Sequence, residues 1–295
     1  MIHENYRTIN RVLATLVFFI SFLVYFDTMA PSVSYWDCGE FIAVSYTLGV
    51  PHPPGSPLFL LLGRIASILP ISEDIAFRVN ILSPIVSAFA VFFLYLIIVQ
   101  VILHWRGKLS SQRDALVAFG SGVVGSLTFA FTDSHWFNAV EAEVYAFSTF
   151  FTAIVVWLIL VWSEKADQRG HEKYILIIAY MIGLATGLHL LNLLTLPFVA
   201  LVIYFRRYNF SWKSFGVTML ITAIVFFYHP QRHNKRHAED SSFDRCFFNN
   251  SSCSFYILMH GMGYKKSEED CLSMFDLSCF SSNWIFYICA NIYQI

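Results

Sequence analysis

Two acidic residues and a histidine lie close together, directly after the first hydrophobic segment of the chain. Asp37 and Glu40 stand in the sequence SYWDCGE, and His52 follows in the proline-rich stretch GVPHPPGSP. On a helix, a spacing of three residues places both carboxylates on one face. Carboxylates can remove a proton from a hydroxyl group or bind a cation. The pattern therefore predicts a catalytic role for Asp37 and Glu40, and makes them the ligands if a divalent metal ion takes part.

Each of these residues also has a structural interpretation. Ser34 and Asp37 have the spacing of a capping box, so Asp37 could simply cap a helix that starts there. The prolines around His52 would make a rigid connector, with His52 at the membrane interface or in contact with a phosphate or an acceptor. The spacing alone leaves both interpretations open.

The composition indicates the environment of these residues. The chain has 295 residues, of which 57% are hydrophobic and 13% charged, and its mean hydropathy is +0.58. A soluble domain would carry about twice this charged fraction. Apolar runs recur from Val12 to Tyr228, which predicts an all-α polytopic membrane protein. The net charge of −1 gives no reason to expect a nucleic-acid partner.

The hydrophobic segments and the basic loops together predict a topology. The loops 104–113, 164–173 and 206–213 are rich in lysine and arginine, and Arg7 and Arg11 lie near the N-terminus. By the positive-inside rule, all four regions face the cytoplasm. We expect an integral multi-pass protein with a cytoplasmic N-terminus, in a bacterial inner membrane or an endoplasmic reticulum membrane. Seven spans are predicted: 12–26, 79–103, 115–131, 146–162, 174–190, 193–205 and 212–228.

The segment 27–78 must begin and end on the outer side, because the number of crossings before loop 104–113 has to be even. The apolar run 58–69 within it has 12 residues, whereas a membrane span needs about 20. We therefore expect a large external segment in which 58–69 lies along the outer interface or re-enters the membrane. Asp37 and Glu40 then face outward.

The last part of the chain has a different character. After Tyr228 the sequence becomes polar and basic, and five of the six cysteines follow residue 245. We place a domain boundary here, with a transmembrane domain at 1–228 and an atypical tail at 229–295. A shift in reading frame, a degenerate and disordered C-terminus, or an ordinary soluble tail would each explain the change, and no function is predicted for it.

Two stretches of the sequence resemble a known family. WDCGEFIAVSYTLGVPHPPGSPLFLLLGR begins at Trp36, and WFNAVEAEVYA begins at Trp136. With Arg78 opening the following span, they resemble the domain-of-unknown-function 2723 family, which includes the transmembrane protein 260 type of protein O-mannosyltransferase and is similar to GT-C class membrane glycosyltransferases. The resemblance covers about residues 10–228. It implies a GT-C-like helical bundle with about seven transmembrane helices and an interfacial helix in the first external loop.

The resemblance also implies a reaction. GT-C enzymes take a sugar from a polyprenyl-phosphate donor and transfer it on the outer or lumenal side of the membrane. Asp37 occupies the position of the catalytic acidic residue. As a base, it would remove the proton of the acceptor hydroxyl, with Glu40 assisting. The sugar would be mannose, as in the resembling family. The expected partners are a polyprenyl-phosphate-linked sugar, a protein or glycan acceptor, and the lipid bilayer.

The phosphate of such a donor needs compensation for its negative charge as it leaves. Some of the candidates for this role also have a structural interpretation. Arg64 and Arg78 could extend toward lipid headgroups, and the residues at the helix break 189–192 could satisfy a helix end. The residues predicted to bind the donor or its phosphate are His52, Arg64, Arg78, Glu143, His189 and Asn192.

Other classes of membrane protein have characteristic sequence features that this sequence lacks. A transporter, the main alternative, is typically built from internal repeats, but SYWDCGE and PHPPGSP do not recur in the second half. A membrane-embedded hydrolase would contain a motif such as HExxH or GxSxG, and neither occurs. An inactive, truncated remnant of a glycosyltransferase is a further alternative.

Overall fold

A computed structural model describes residues 2–53, 55–107 and 111–236 of the chain. Within these ranges all regular structure is helical, which confirms the predicted all-α class. The helices are α1 Ile2–Asp27, α2 Cys38–Thr47, α3 Pro57–Ile68, α4 Ile75–Asn80, α5 Leu82–Arg106, α6 Gln112–Ala130, α7 Asp133–Ala139, α8 Val144–Lys165, α9 Glu172–Thr186, the 3-10 helix Leu190–Leu194, α10 Thr195–Arg207 and α11 Trp212–Arg236.

Several of these helices are long and apolar enough to cross a membrane. By length and composition, four stretches of the described residues qualify: Tyr6–Asp27, Ile75–Arg106, Val144–Lys165 and Leu190–Arg207. A fifth results if α6 and α7, which are bent by 69° at their junction, count as one span. The helix α9 has only 15 residues, and the apolar part of α11 is also short. The membrane character is thus confirmed, while a count of seven spans stays a prediction.

The chain divides into two compact units. Of the described residues, the first unit contains those up to Trp157 and the stretch Gly187–Leu190. The second contains Leu158–Thr186 and the residues from Leu191 onward. All predicted site residues except Asn192 belong to the first unit.

The apolar core of the first unit lies among α1, α5 and α6. The hydroxyl group of Tyr25 in α1 donates a hydrogen bond to the Ala130 carbonyl at the end of α6, at 2.8 Å. The helices α5 and α6 approach closely at Gly122. A Cβ atom at this position would lie 2.7 Å from Val99 and 2.8 Å from Tyr95, so a larger residue cannot fit without movement. Small residues of this kind let the backbones of membrane helices come together.

The segment predicted to be external contains three short helices. The helix α3 begins at Pro57, because proline has no N–H to lose in the first turn and its φ angle suits a helix. The helix α4 is capped by Asp74, whose Oδ1 accepts the N–H of Ala76 at 2.7 Å. The amide of Asn80 donates to the carbonyls of Ala30 and Ser32, which fixes the loop before α2. The run 58–69 is thus a separate helix, as expected; its position at the interface stays a prediction.

Three boundaries differ from the predictions. The connection between the predicted spans 115–131 and 146–162 contains the helix α7, which is too short to show a helical period in the sequence. The predicted span 174–190 stops at Thr186, where the chain turns into the break before the 3-10 helix. The helix α11 continues to Arg236, beyond the boundary predicted at Tyr228. The rest of the predicted tail, 237–295, lies outside the described residues.

In the second unit, two arginines at the end of α10 bind the last turn of α8. The Nε atom of Arg206 donates to the Ser163 carbonyl at 2.8 Å, and Arg207 donates to the Ala166 carbonyl at 2.8 Å. Carbonyl groups at a helix C-terminus have no partner within the helix, so cationic side chains stabilise them. These basic residues therefore have a structural role in the region predicted to face the cytoplasm.

Candidate active site

The exposed carboxylate of Asp37 stands at the start of α2. Its backbone occupies the N-cap position, but its side chain makes no capping hydrogen bond and is 57% exposed. Ser34 instead donates its hydroxyl to Glu141 at 2.6 Å. The alternative interpretation, in which Ser34 and Asp37 form a capping box, is therefore wrong. Trp36, just before Asp37, has a φ angle of 57°, a left-handed conformation that is strained for a residue with a side chain.

Glu40 and His52 form a close pair beside Asp37. The backbone N–H of His52 donates to one oxygen of Glu40 at 2.8 Å, and Nδ1 of its ring lies 2.7 Å from the other oxygen. The second ring nitrogen, Nε2, lies 3.9 Å from Oδ2 of Asp37. The loop that carries His52 thus places the imidazole between the two carboxylates that the sequence spacing put forward.

The hydrogen bonds between Glu40 and His52 shift the pKa values of both groups. The hydrogen bond to Glu40 raises the pKa of His52 above its ordinary value, and the hydrogen bonds from His52 lower the pKa of Glu40. The His52 contribution to stability is present at low pH and lost as the pH rises through the raised pKa. The Glu40 contribution is present at high pH and lost as the pH falls through the lowered pKa. Because both side chains are well exposed, the pair adds little to folding and mainly orients the imidazole.

A second pair of acids lies just before α8 and is buried. Glu141 is 2% exposed and Glu143 is 6% exposed. Glu141 accepts hydrogen bonds from Ser34 and from the thiol of Cys38, which is itself fully buried. Burial, and to a smaller extent the charges of Asp37 and Glu141, raise the pKa of Glu143 to about 7. Glu143 is among the site residues predicted from the sequence but Glu141 is not, because no local pattern links Glu141 to the distant residues Ser34 and Cys38.

The three groups Asp37, Glu40 and His52 can be tested as a metal site. One possible ligand atom from each lies within 4.8 Å of the other two. However, the Glu40 oxygen and the Nδ1 atom of His52 are already joined at 2.7 Å, so a cation held by all three would have to replace that hydrogen bond. The prediction that Asp37 and Glu40 bind a divalent metal therefore stays a prediction.

The two arginines of the segment predicted to be external bind backbone carbonyls. Arg64 donates to the carbonyl of Tyr46, and its guanidinium lies 5.4 Å from the centre of the Tyr46 ring. Arg78 donates to the Ser72 carbonyl at 2.6 Å and to the Ser67 carbonyl at 2.9 Å, closing the loop between α3 and α4. A phosphate would have to use the remaining N–H groups of either guanidinium, so their predicted phosphate contacts stay predictions.

His189 belongs to the first unit and packs against Tyr145. Its ring centre is 5.4 Å from that of Tyr145, two residues after Glu143. The stretch Gly187–Leu190 is bound to the start of α3, where the hydroxyl of Ser56 donates to the Leu188 carbonyl at 2.7 Å. The first unit therefore holds His189 against Tyr145, and its predicted contact with the donor phosphate stays a prediction.

Asn192 belongs to the second unit. Its amide donates to the carbonyl of Ala185 at the end of α9, at 2.9 Å, which matches the helix-end interpretation of the sequence. Its predicted contact with the donor phosphate is not tested by this geometry.

The described residues form several helices long and apolar enough to cross a membrane, which places the protein in the class of multi-pass helical membrane proteins. Residues 37–212 match the family described as the protein O-mannosyl-transferase TMEM260 N-terminal domain. This range begins at Asp37 and includes every predicted site residue. The chain belongs to this family, which confirms the resemblance seen in the sequence.

Two relatives illustrate the similarity. The protein O-mannosyl-transferase tmem260 of Dictyostelium discoideum is 30% identical over 227 residues, covering 72% of this chain and 25% of the relative. The protein O-mannosyl-transferase TMEM260 of Mus musculus is 28% identical over 158 residues, covering 54% of this chain and 20% of the relative. The chain thus spans a quarter or less of the length of these relatives. No solved structure matches the chain.

Proposed function

We propose that the chain is a membrane O-mannosyltransferase with a GT-C-like helical bundle. In this proposal it transfers mannose from a polyprenyl-phosphate donor to a hydroxyl group of a protein acceptor, on the exofacial or lumenal side of the membrane. The names of the relatives support the sugar and the kind of acceptor. The observation that carries the site is the imidazole of His52 between Glu40 and Asp37, because it leaves one carboxylate exposed and oriented.

Asp37 acts as the general base. A hydroxyl group is a poor nucleophile until its proton is removed, and a positioned carboxylate can accept that proton while the oxygen attacks the anomeric carbon. The side chain of Asp37 has the exposure that an incoming acceptor needs, and it is not used as a helix cap. The bond from the anomeric carbon to the phosphate oxygen breaks on the opposite face of the sugar, so the configuration is inverted.

Glu40 and His52 position this base and balance its charge. Glu40 holds the histidine through two hydrogen bonds, one to its backbone N–H and one to its ring. The raised pKa of His52 favours the imidazolium form, which places a positive charge beside Asp37 and within the same cluster as the departing phosphate. Removing Glu40 would leave the ring free to rotate away from Asp37.

The test compares two Asp→Asn variants in lipid. The full chain is supplied with polyprenyl-phosphate mannose and an acceptor peptide rich in serine and threonine, and product is measured by mass spectrometry. We expect Asp37→Asn to lower transfer by about 10²–10⁴-fold, the usual contribution of a general base. The control is Asp133→Asn, which changes an exposed acid at the start of α7 and should leave transfer unchanged.

Two results would contradict the proposal. Equal transfer by Asp37→Asn and the unchanged chain would exclude Asp37 as the base. No transfer by the unchanged chain would show that this chain is not itself an active transferase and would favour the inactive remnant.

A further inference from the structure

The buried carboxyl group of Glu143 lacks a cationic hydrogen-bond partner in the described part of the chain. Its side chain is almost fully enclosed, and the hydrogen bond it accepts comes from the adjacent backbone N–H of Val144, at 3.2 Å. Its neighbour Glu141 is better supported, with bonds from the Ser34 hydroxyl and the Cys38 thiol. A buried carboxylate is costly unless charges or several hydrogen bonds compensate it.

Four ionisable groups face Glu143, and the two carboxyl groups among them make its charged form still less favourable, whereas the imidazole acts in the opposite direction. They are Asp37 and Cys38 at the start of α2, His52 in the proline-rich loop, and Glu141 two residues earlier. Two of the four are carboxyl groups and one is a buried thiol. The remaining imidazole favours the charged form of Glu143, but its hydrogen bonds are made to Glu40 and its effect is smaller than that of burial. The surroundings of Glu143 therefore favour its neutral form.

We propose that Glu143 enters the transfer reaction as a neutral carboxylic acid that donates its proton to the phosphate oxygen leaving the sugar. This inference rests on the proposed function above. The acceptor oxygen forms a bond to the anomeric carbon and gives its proton to Asp37. The bond from the anomeric carbon to the phosphate oxygen breaks, the oxygen keeps the electron pair, and Glu143 protonates it.

The proton balance of this step closes within the cluster. Asp37 ends protonated and Glu143 ends ionised, and exchange of one proton with water resets both groups. The exposed imidazole of His52, 3.9 Å from Asp37, lies where such an exchange can pass. Two carboxyl groups with opposite protonation states in one site are a recognised way to supply both an acid and a base near neutral pH.

The pKa of Glu143 is also close to that of the phosphate that it would protonate. Burial raises the pKa of Glu143 to about 7, while a phosphate monoester takes up its second proton with a pKa of about 6. Proton transfer between groups of similar pKa is nearly balanced, which suits general acid catalysis. The neutral form also explains how Glu143 could approach a phosphate, as predicted from the sequence, since a carboxylate and a phosphate would repel each other.

The pH dependence of transfer tests this role. We expect kcat/KM of the unchanged chain to fall about tenfold per pH unit above about pH 7, as Glu143 loses its proton. Glu143→Gln keeps an N–H donor but cannot transfer a proton, so it should lower the rate about 10²-fold and abolish this alkaline decline. Glu141→Gln is the matched control and should keep the decline. An alkaline decline that persists in Glu143→Gln would overturn the inference. So would a decline that is abolished by His52→Gln and not by Glu143→Gln.

Infrared difference spectroscopy gives a readout that does not need turnover. The carboxylic acid C=O band of Glu143 should disappear as the pH rises through about 7, and it should be missing in Glu143→Gln. Transfer by the unchanged chain without such a band would overturn the role of Glu143 but leave the proposed function intact. The band without transfer at any pH would contradict the proposed function.

Discussion

Two regions of the first unit are held together by different interactions, one by apolar packing and the other by hydrogen bonds between charged groups. Where α5 meets α6, Gly122 packs against Tyr95 and Val99 without any charged group, and shape alone sets the fit. Around His52, exposed charged groups are held by hydrogen bonds that add little to stability. The difference indicates that the apolar helix contact maintains the fold, and that the polar cluster is free to serve chemistry. Substitutions in the two regions should therefore separate stability from activity.

The largest effect on stability is expected from Gly122→Val. The added side chain would meet Val99 at 2.7 Å and Tyr95 at 2.8 Å, so α5 and α6 must move apart. Forcing extra atoms into a packed contact costs about 1–3 kcal/mol. We expect a lower midpoint of thermal unfolding in lipid or detergent, with transfer per folded molecule unchanged.

A glycine on the same helix provides the control. A Cβ atom at Gly120 would meet no atom within 4 Å. Gly120→Val carries the same change in helix propensity as Gly122→Val, so the difference in their midpoints isolates the steric contact. Equal midpoints for the two variants would show that the α5–α6 contact does not limit stability.

A smaller effect is expected from Arg78→Gln. This change removes two hydrogen bonds that close the loop between α3 and α4, to Ser67 and Ser72. Hydrogen bonds of this kind are each worth about 0.5–1.5 kcal/mol. Because both are only partly buried, we expect a loss in the lower part of the summed range, about 1–2 kcal/mol, and near-normal transfer by the folded protein. Unchanged stability with a large loss of transfer would instead establish the phosphate contact predicted from the sequence.

Much of the helical architecture could be predicted because long apolar runs report on it directly. The predicted span 146–162 lies inside α8, and the run 58–69 coincides with α3 within one residue. The short helix α7 and the early end of α9 were missed. Seven residues carry too little periodicity to identify a helix, and helix ends depend on contacts that hydrophobicity does not encode.

The candidate site could be predicted only in part. The spacing of Asp37 and Glu40 identified two of its members, and the resemblance identified Glu143. The pairing of Ser34 with Glu141 joins residues 107 positions apart, and such a contact leaves no local pattern. The same limit explains why the capping-box interpretation failed. The hydroxyl of Ser34 donates to the distant Glu141, and the sequence does not show this partner.

The position of Asp37 on the outer side of the membrane is the claim that supports the rest. Cys38 is fully buried, so a reporter must be introduced nearby, and Tyr35 is 83% exposed. We would replace the five cysteines after residue 245 by serine, then compare Tyr35→Cys with Gln168→Cys, which lies in an exposed loop predicted to be cytoplasmic. The parent with Cys38 alone should remain unlabelled.

The measurement is labelling by a membrane-impermeant thiol reagent in sealed spheroplasts, before and after the membrane is opened. We expect Tyr35→Cys to react in sealed spheroplasts and Gln168→Cys to react only after opening. Labelling of Tyr35→Cys only after opening would place Asp37 on the cytoplasmic side and contradict the proposed function.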